Sequence, residues 1–312
     1  MDALRTPEER FHDLPDYPFA AHYLSVDDTE GGQLRMHYLD EGPADGPVVL
    51  MLHGEPSWSY LYRHMIGPVT AAGFRVIAPD LIGFGKSDKP VSQSDYSHVR
   101  HVQWVAELLA QLDLEQITLV CQDWGGLIGL RLVAEQQARF ARVLAANTML
   151  PGFPLDHPAL EGVFGWRQKL RTGLGFGSWF AFSQLNPFWR AGSILQLGTA
   201  RRLSAGEVAA YNAPFPHRRF MAGARVFPRL VPSDMKNNAH AWQQLMACQL
   251  PFLCAFSDRD PIMSSMAGIF PALVPGCTGQ AHTTIRGASH FLQDDKGAEL
   301  ADVLVQFMRA TP

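Results

Sequence analysis

Cysteine is scarce in this chain of 312 residues: Cys121, Cys248, Cys254 and Cys277 are the only four, and none belongs to a C-x-x-C pair. That spacing excludes a disulfide framework and a zinc knuckle, and reduced thiols in a cytoplasmic protein are expected. Charge is sparse too, at 18% of residues, and 26 basic against 30 acidic side chains leave a net charge of −4. Neither a nucleic acid nor a membrane surface is expected as partner. Apolar runs of about 18 residues, the length of a membrane span, are absent. The opening "MDALRTPEERFHDLPDYPF" lacks the apolar stretch of a secretory signal. No internal repeat is found. No G-x-G-x-x-G opens a helix, and "GFGKS" (83–87) has Asp80 where a phosphate-binding loop needs glycine. His98 and His101 are one helical turn apart without a third ligand, so they read as a buried helix face. No cofactor and no metal are expected.

What the chain does have is apolar bulk, 47% of residues, enough for one large core with an insertion. Short apolar runs at 48–53, 74–80, 117–122 and 142–147 suit strands covered on both faces of a parallel sheet. Helical patterns at 98–112 and 126–137 lie among them. "QLRMHYLDEG" (33–42) alternates and suits an antiparallel edge strand. After residue 249 the pattern resumes with "PFLCAFSD", a helix near 264–270, "HTTIR" and a closing helix over 296–308. This is a doubly wound α/β plan. Residues 151–227 break it. They are rich in aromatics, and between Gly173 and Ala200 the only charged residue is Arg190. The expectation is an α/β core of residues 1–150 and 228–312, with a helical cap of 151–227 folded over the sheet's C-terminal edge.

Sites in open α/β sheets form beyond the carboxyl ends of strands. Three features fall there. "LVCQDWGG" (119–126) ends a strand and turns into a helix, presenting Asp123 where such an elbow usually presents serine. Asp123 serves either as a nucleophile or as a helix N-cap. "FSDRDP" offers Asp258 and Asp260, and "GASHF" offers His290. The chain order nucleophile, acid, histidine is that of α/β-hydrolases. The loop "LHGEPSWSYLYR" (52–63) is where that fold finds one oxyanion donor, and the residue after the nucleophile supplies the other. These are the backbone amides of Glu55 and Trp124. His53, in the same loop, is expected to shape it.

Together "LHGEPSWSYLYR", "DLIGFGKSDKP", "QDWGGLIGL", "YNAPFP" and "GASHFLQ" resemble the haloalkane dehalogenases, a branch of the α/β-hydrolase fold. The resemblance spans nearly the whole chain. It implies Asp123 as nucleophile, His290 as base and Asp260 as the acid that orients it. Family members carry that acid after the sixth or the seventh strand of the sheet. Asn147, which cannot be an acid, follows the sixth here, so the resemblance points to Asp260. It also implies a halide clamp of two tryptophans, Trp124 and a second from the cap. Trp179 in "WFAFSQ" is expected in that role, with Trp166 in "FGWRQ" as its rival and Trp189 as packing.

The chemistry fits the residue types. Displacing halide from an sp³ carbon needs an anionic nucleophile, and an aspartate with an ordinary pKa of about 3.9 is one at neutral pH. A serine would first have to lose a proton. Indole N–H is an uncharged donor suited to a departing anion. The expected partners are a small halogenated alkane, water and the halide product. The expected assembly is a monomer or a weak homo-oligomer. Epoxide hydrolysis is the alternative, since it also uses an aspartate at this elbow. It typically needs cap tyrosines, and the expected cap has only Tyr211.

Overall fold

The computed structural model describes residues 1–163, 165–186 and 189–311; the side chains of 166–169, 171, 172, 182, 184 and 185 fall outside that description. In chain order the strands are β1 (Ala3–Leu4), β2 (His22–Asp27), β3 (Gln33–Glu41), β4 (Val48–Leu52), β5 (Arg75–Pro79), β6 (Lys89–Pro90), β7 (Ile117–Asp123), β8 (Phe140–Thr148), β9 (Phe252–Ser257) and β10 (Thr283–Ile285). The helices are α1 (Arg63–Ala71), α2 (His98–Gln111), α3 (Trp124–Glu135), α4 (Trp166–Leu185), α5 (Ala191–Gly198), α6 (Ala205–Asn212), α7 (Ala222–Leu230), α8 (Met235–Leu245), α9 (Ile269–Leu273) and α10 (Leu292–Ala310).

Eight strands form one sheet in the order β10-β9-β8-β7-β4-β5-β3-β2. Only β3 runs against its neighbours; every other pairing is parallel. The central strands are buried on both faces, which is why β4, β5, β7 and β8 read as near-continuous apolar runs. One apolar layer, including Leu50, Leu119, Trp104 and Ile128, packs on one face. A second, including Met51, Val120, Ile66 and Leu304, packs on the other. At 25 cal/mol per Å² of apolar area removed from water, such layers dominate the folding energy. Between β8 and β9 the chain leaves the sheet and forms α4 to α8. The expected boundary between 227 and 228 falls inside α7. Among the described residues, no helix is long and apolar enough to cross a membrane.

Three sequence expectations need correction. The alternating stretch 33–42 is an antiparallel strand but not the edge, because β2 pairs outside it. β2 is only partly buried, so its apolar pattern is weak. The helix expected near 264–270 is instead a 3₁₀ turn, Ser264–Met266, followed by the short α9. The closing helix begins earlier, at Leu292, with Asp294 and Asp295 in its first turn and a break at Lys296. Carboxylates there complement the positive end of the helix.

Candidate active site

The tip of β7 turns into α3 at Asp123, whose backbone sits at φ 50°, ψ −124°. A non-glycine residue held there stores strain and is seen where a function requires it. Two glycines make the turn possible. A Cβ on Gly125 would lie 1.9 Å from the Leu52 carbonyl oxygen, and one on Gly126 would lie 1.8 Å from Thr148 Oγ1. Thr148 then donates to the Asp123 carbonyl oxygen at 2.7 Å, pinning the elbow to β8. Asp123 makes no side-chain cap bond to α3, so the N-cap reading fails. Its carboxylate faces the other way. Oδ1 accepts from the Glu55 backbone N–H at 2.8 Å, and Oδ2 lies 3.6 Å from His290 Nε2.

His290 lies in the loop between β10 and α10. Its Nδ1 is 2.8 Å from Asp260 Oδ2, in the loop after β9. The other Asp260 oxygen accepts from the amides of Ile262 and Met263 at 2.8 and 3.0 Å. Asp258, the other acidic residue of "FSDRDP", instead accepts from the Gly287 amide at 2.8 Å and shapes the histidine loop. Burial alone would raise the Asp260 carboxyl, but His290 and the two amides outweigh it and hold its pKa below the ordinary value. At His290, burial pulls the imidazole down. The Asp260 charge and the hydrogen bond and charge of Asp123 outweigh it, raising its pKa to about 10.

The other expected positions fall around these three. The Glu55 carboxyl is buried and raised well above the carboxylate range by desolvation, with the Asp123 charge adding to it. Burial thus favours the neutral form of Glu55, and its Oε1 has no hydrogen-bond partner. The amide of Trp124 is the first of α3 and so has no partner within the helix. His53 shapes its loop: Nε2 accepts from the Leu81 amide at 3.0 Å, and Nδ1 sits 2.9 Å from the Gly54 carbonyl oxygen. His98 and His101 are both buried. The His98 ring meets Trp124 edge-on at 5.7 Å, and His101 packs on Trp104 and Phe227. One set among the described residues has metal-ligating types in reach of one another, His64, Glu207 and Asp294. Its two carboxylates are already paired with Arg63 and Arg201.

A cavity of about 690 Å³ opens above the elbow, with Asp123, Glu55, Trp124 and His290 in its wall. Trp179 and Phe176 of α4 line it from the helical insertion, and no tyrosine, lysine or arginine does so among the described residues. Trp124 and Trp179 therefore share one cavity. The side chain of Trp166, the rival, lies outside the described residues. Trp189 is buried against Phe215. Two residues have structural roles that the sequence did not show. Asn147 donates to the carbonyl oxygens of Ser289 and His290 at 2.9 and 3.1 Å, tying the histidine loop to β8. Thr148 holds the elbow. Their only signal was a pair of polar residues ending a mostly apolar strand.

An open, mostly parallel sheet of this order, with an acid–histidine pair beside a strained strand-to-helix turn, defines an α/β hydrolase. Comparison with known proteins agrees: residues 47–297 match the model of the alpha/beta hydrolase fold family. The haloalkane dehalogenase of Psychrobacter cryohalolentis is 53% identical over the full length of both chains. That of Mycolicibacterium paratuberculosis is 48% identical over 99% of each. Among solved structures, the tetrameric haloalkane dehalogenase of Paraglaciecola agarilytica superposes with a TM-score of 0.83 at 35% identity, over 97% of both chains. The chain belongs to the haloalkane dehalogenases of the α/β-hydrolase fold.

Proposed function

We propose that this protein hydrolyses carbon–halogen bonds of small halogenated alkanes, with Asp123 as nucleophile, His290 as base and Asp260 orienting the base. The observation that carries the reading is the Asp123 carboxylate at the elbow, facing an apolar cavity, with His290 3.6 Å away and Asp260 behind it.

Asp123 attacks the carbon that bears the halogen. A carbon–oxygen bond forms as the carbon–halogen bond breaks, and the halide leaves with the electron pair. The indole N–H groups of Trp124 and Trp179 receive it, each ion–donor contact being worth about 1.5–3 kcal/mol. His290 then takes a proton from water at Nε2, and the oxygen adds to Cγ of the Asp123 ester. The oxyanion is stabilised by the amides of Glu55 and Trp124. Its collapse frees the alcohol and restores the carboxylate, with one proton released overall. Attachment of the alkyl group removes the Asp123 charge, so His290 loses one of the two carboxylates that hold its proton. The base is thereby weakened toward neutral form at the stage that needs it.

The helical stretch between β8 and β9 acts as the cap, supplying Trp179 and the apolar wall for the alkyl chain. Epoxide opening would need an acid for the ring oxygen. Tyr211 does not fit that need, since it is fully buried and its hydroxyl donates to Asp294 away from the cavity.

Halide release from a panel of short bromo- and chloroalkanes tests the activity, and release from none of them would sink it. Mass spectrometry of His290→Ala with 1,2-dibromoethane tests the roles. An alkyl adduct on the peptide containing Asp123 is expected. An unmodified Asp123 while the wild type turns over would refute the assignment.

A further inference from the structure

Carboxylates are not the only groups that His290 meets. Gln122, fully buried one residue before the elbow, puts its side-chain nitrogen 3.1 Å from His290 Nε2. The same nitrogen lies 3.2 Å from the backbone carbonyl oxygen of His290. A carbonyl oxygen only accepts, so this contact decides which end of the amide faces the ring. Asn147 donates to that same oxygen at 3.1 Å, which holds the carbonyl in place. The reversed amide would set Gln122 Oε1 against the carbonyl oxygen, two acceptors together. With one amide hydrogen on the backbone and the other aimed at the ring, this contact is satisfied only when Nε2 accepts. An accepting Nε2 belongs to a neutral imidazole with its hydrogen on Nδ1, and Nδ1 faces Asp260.

We propose that Gln122 is a positioning residue for the base: its side-chain amide favours the neutral His290 imidazole with hydrogen on Nδ1 and an accepting Nε2. Three ionisable groups face this ring: Asp260 from the loop after β9, Asp123 from the tip of β7, and Glu55 from the loop after β4. Asp260 and Asp123 both favour the imidazolium, while a donor aimed at Nε2 favours the neutral ring. In the resting protein the two carboxylates prevail and the ring keeps its proton. Once Asp123 is an ester, Asp260 is the carboxylate still bonded to the ring and opposing Gln122. The amide therefore weighs most at the step where the ring must accept a proton from water. Imidazolium, by contrast, would set its Nε2–H head-on against the amide hydrogen.

The inference rests on His290 acting as the base, so its test has one arm without turnover. In Asp123→Asn, a neutral stand-in for the ester, the His290 ring nitrogens are titrated by ¹⁵N NMR. Adding Gln122→Met, similar in length and unable to donate, is expected to raise the His290 pKa by about one unit, one lost hydrogen bond's worth. Gln122→Glu, which places an acceptor there, is expected to raise it further. In the protein with Asp123 intact, Gln122→Met is expected to move the acid limb of kcat upward by the same amount. The loss, about tenfold at pH 7, is then recovered at alkaline pH, with KM falling alongside kcat and kcat/KM unchanged because alkylation is untouched. An unmoved titration, with a kcat deficit equal at every pH, would overturn the proposal and leave Gln122 as packing. A moved titration with an unmoved limb would refute His290 as the base instead.

Discussion

The backbone N–H of Glu55 donates to Asp123 Oδ1 at 2.8 Å, while the other oxygen of that carboxylate faces His290 Nε2 at 3.6 Å. One amide thus fixes the rotation of the Asp123 carboxylate and, in the proposed reaction, lies where the oxyanion would develop. The approach depends on Gly54, since a Cβ there would lie 2.3 Å from both Asp123 Cβ and Oδ1. Gly54→Ala is expected to push the carboxylate off the amide. A misplacement near 1 Å costs roughly 100-fold in kcat. Steady-state kinetics beside a melting curve checks this, with activity falling far more than the melting temperature.

The two cavity tryptophans separate packing from donation. Trp124 is almost fully buried, its ring centre 4.3 Å from that of Phe227 with the planes tilted by 39°, and it is edge-on to His98. Trp124→Phe and Trp179→Phe keep an aromatic ring and delete the N–H. Each is expected to lower kcat/KM for a bromoalkane by about 10- to 100-fold, as one lost ion–donor bond of roughly 1.5–3 kcal/mol implies. Quenching of tryptophan fluorescence by bromide should weaken in both. Unchanged kcat/KM in Trp179→Phe would remove Trp179 from the clamp.

The sheet and the grouping of Asp123, Asp260 and His290 were largely legible in the sequence. Strands buried on both faces must be apolar throughout, so polar residues at or just beyond their ends stand out: Asp123 ends β7 and Asp260 lies in the loop after β9, while His290 stands in a small-residue loop after the short, half-exposed β10. What stayed hidden depends on contacts across the sheet. Asn147 read only as a residue unable to be the acid, yet its amide ties down the histidine loop. Gln122 read as part of the elbow motif, and its contact with His290 joins residues 168 positions apart. β2 was missed because a half-exposed edge strand carries no strong period. Choosing Asp260 over Asp258 needed the family resemblance, since both follow the same strand and spacing favours neither.

Tyr211 offers a control that spares the chemistry. Its hydroxyl donates to Asp294, which also pairs with Arg63, while Glu207 of α6 bonds Arg63 and Arg201. The network joins the helical insertion to α1 and α10. Tyr211→Phe leaves a buried acceptor one donor short and is expected to cost about 1–3 kcal/mol. Differential scanning calorimetry should show a melting point lower by a few degrees, with kcat within about twofold of wild type. A large loss of kcat without a loss of stability would instead assign Tyr211 a part in the reaction.

The Asp260–His290 pair makes opposite demands on pH, and the sign of each can be worked out. His290 is raised to about 10 in the folded protein from an unfolded value near 6.5. Its stabilising contribution is complete below about pH 6.5, declines as pH rises, and is gone above about pH 10. Asp260 is lowered, so its contribution is present above its unfolded pKa of about 3.9 and is lost as pH falls below that. Asp260→Asn removes the carboxylate from both. The difference in melting temperature between wild type and Asp260→Asn should be largest near pH 5–6.5 and shrink steadily toward pH 10. A difference that is constant across that range would mean the pair's charge adds nothing to stability. On activity the same variant acts through the ring. Asparagine can offer its amide hydrogens to Nδ1 and so favour the wrong tautomer, a change that costs on the order of 10⁴-fold in a serine-protease triad. A loss of 10³- to 10⁴-fold in kcat, on the scale of that precedent, is therefore expected here. Alkylation of Asp123 needs no base, so a burst of one halide per site should survive while the following hydrolysis slows. Loss of the burst along with turnover would place Asp260 in the alkylation step as well.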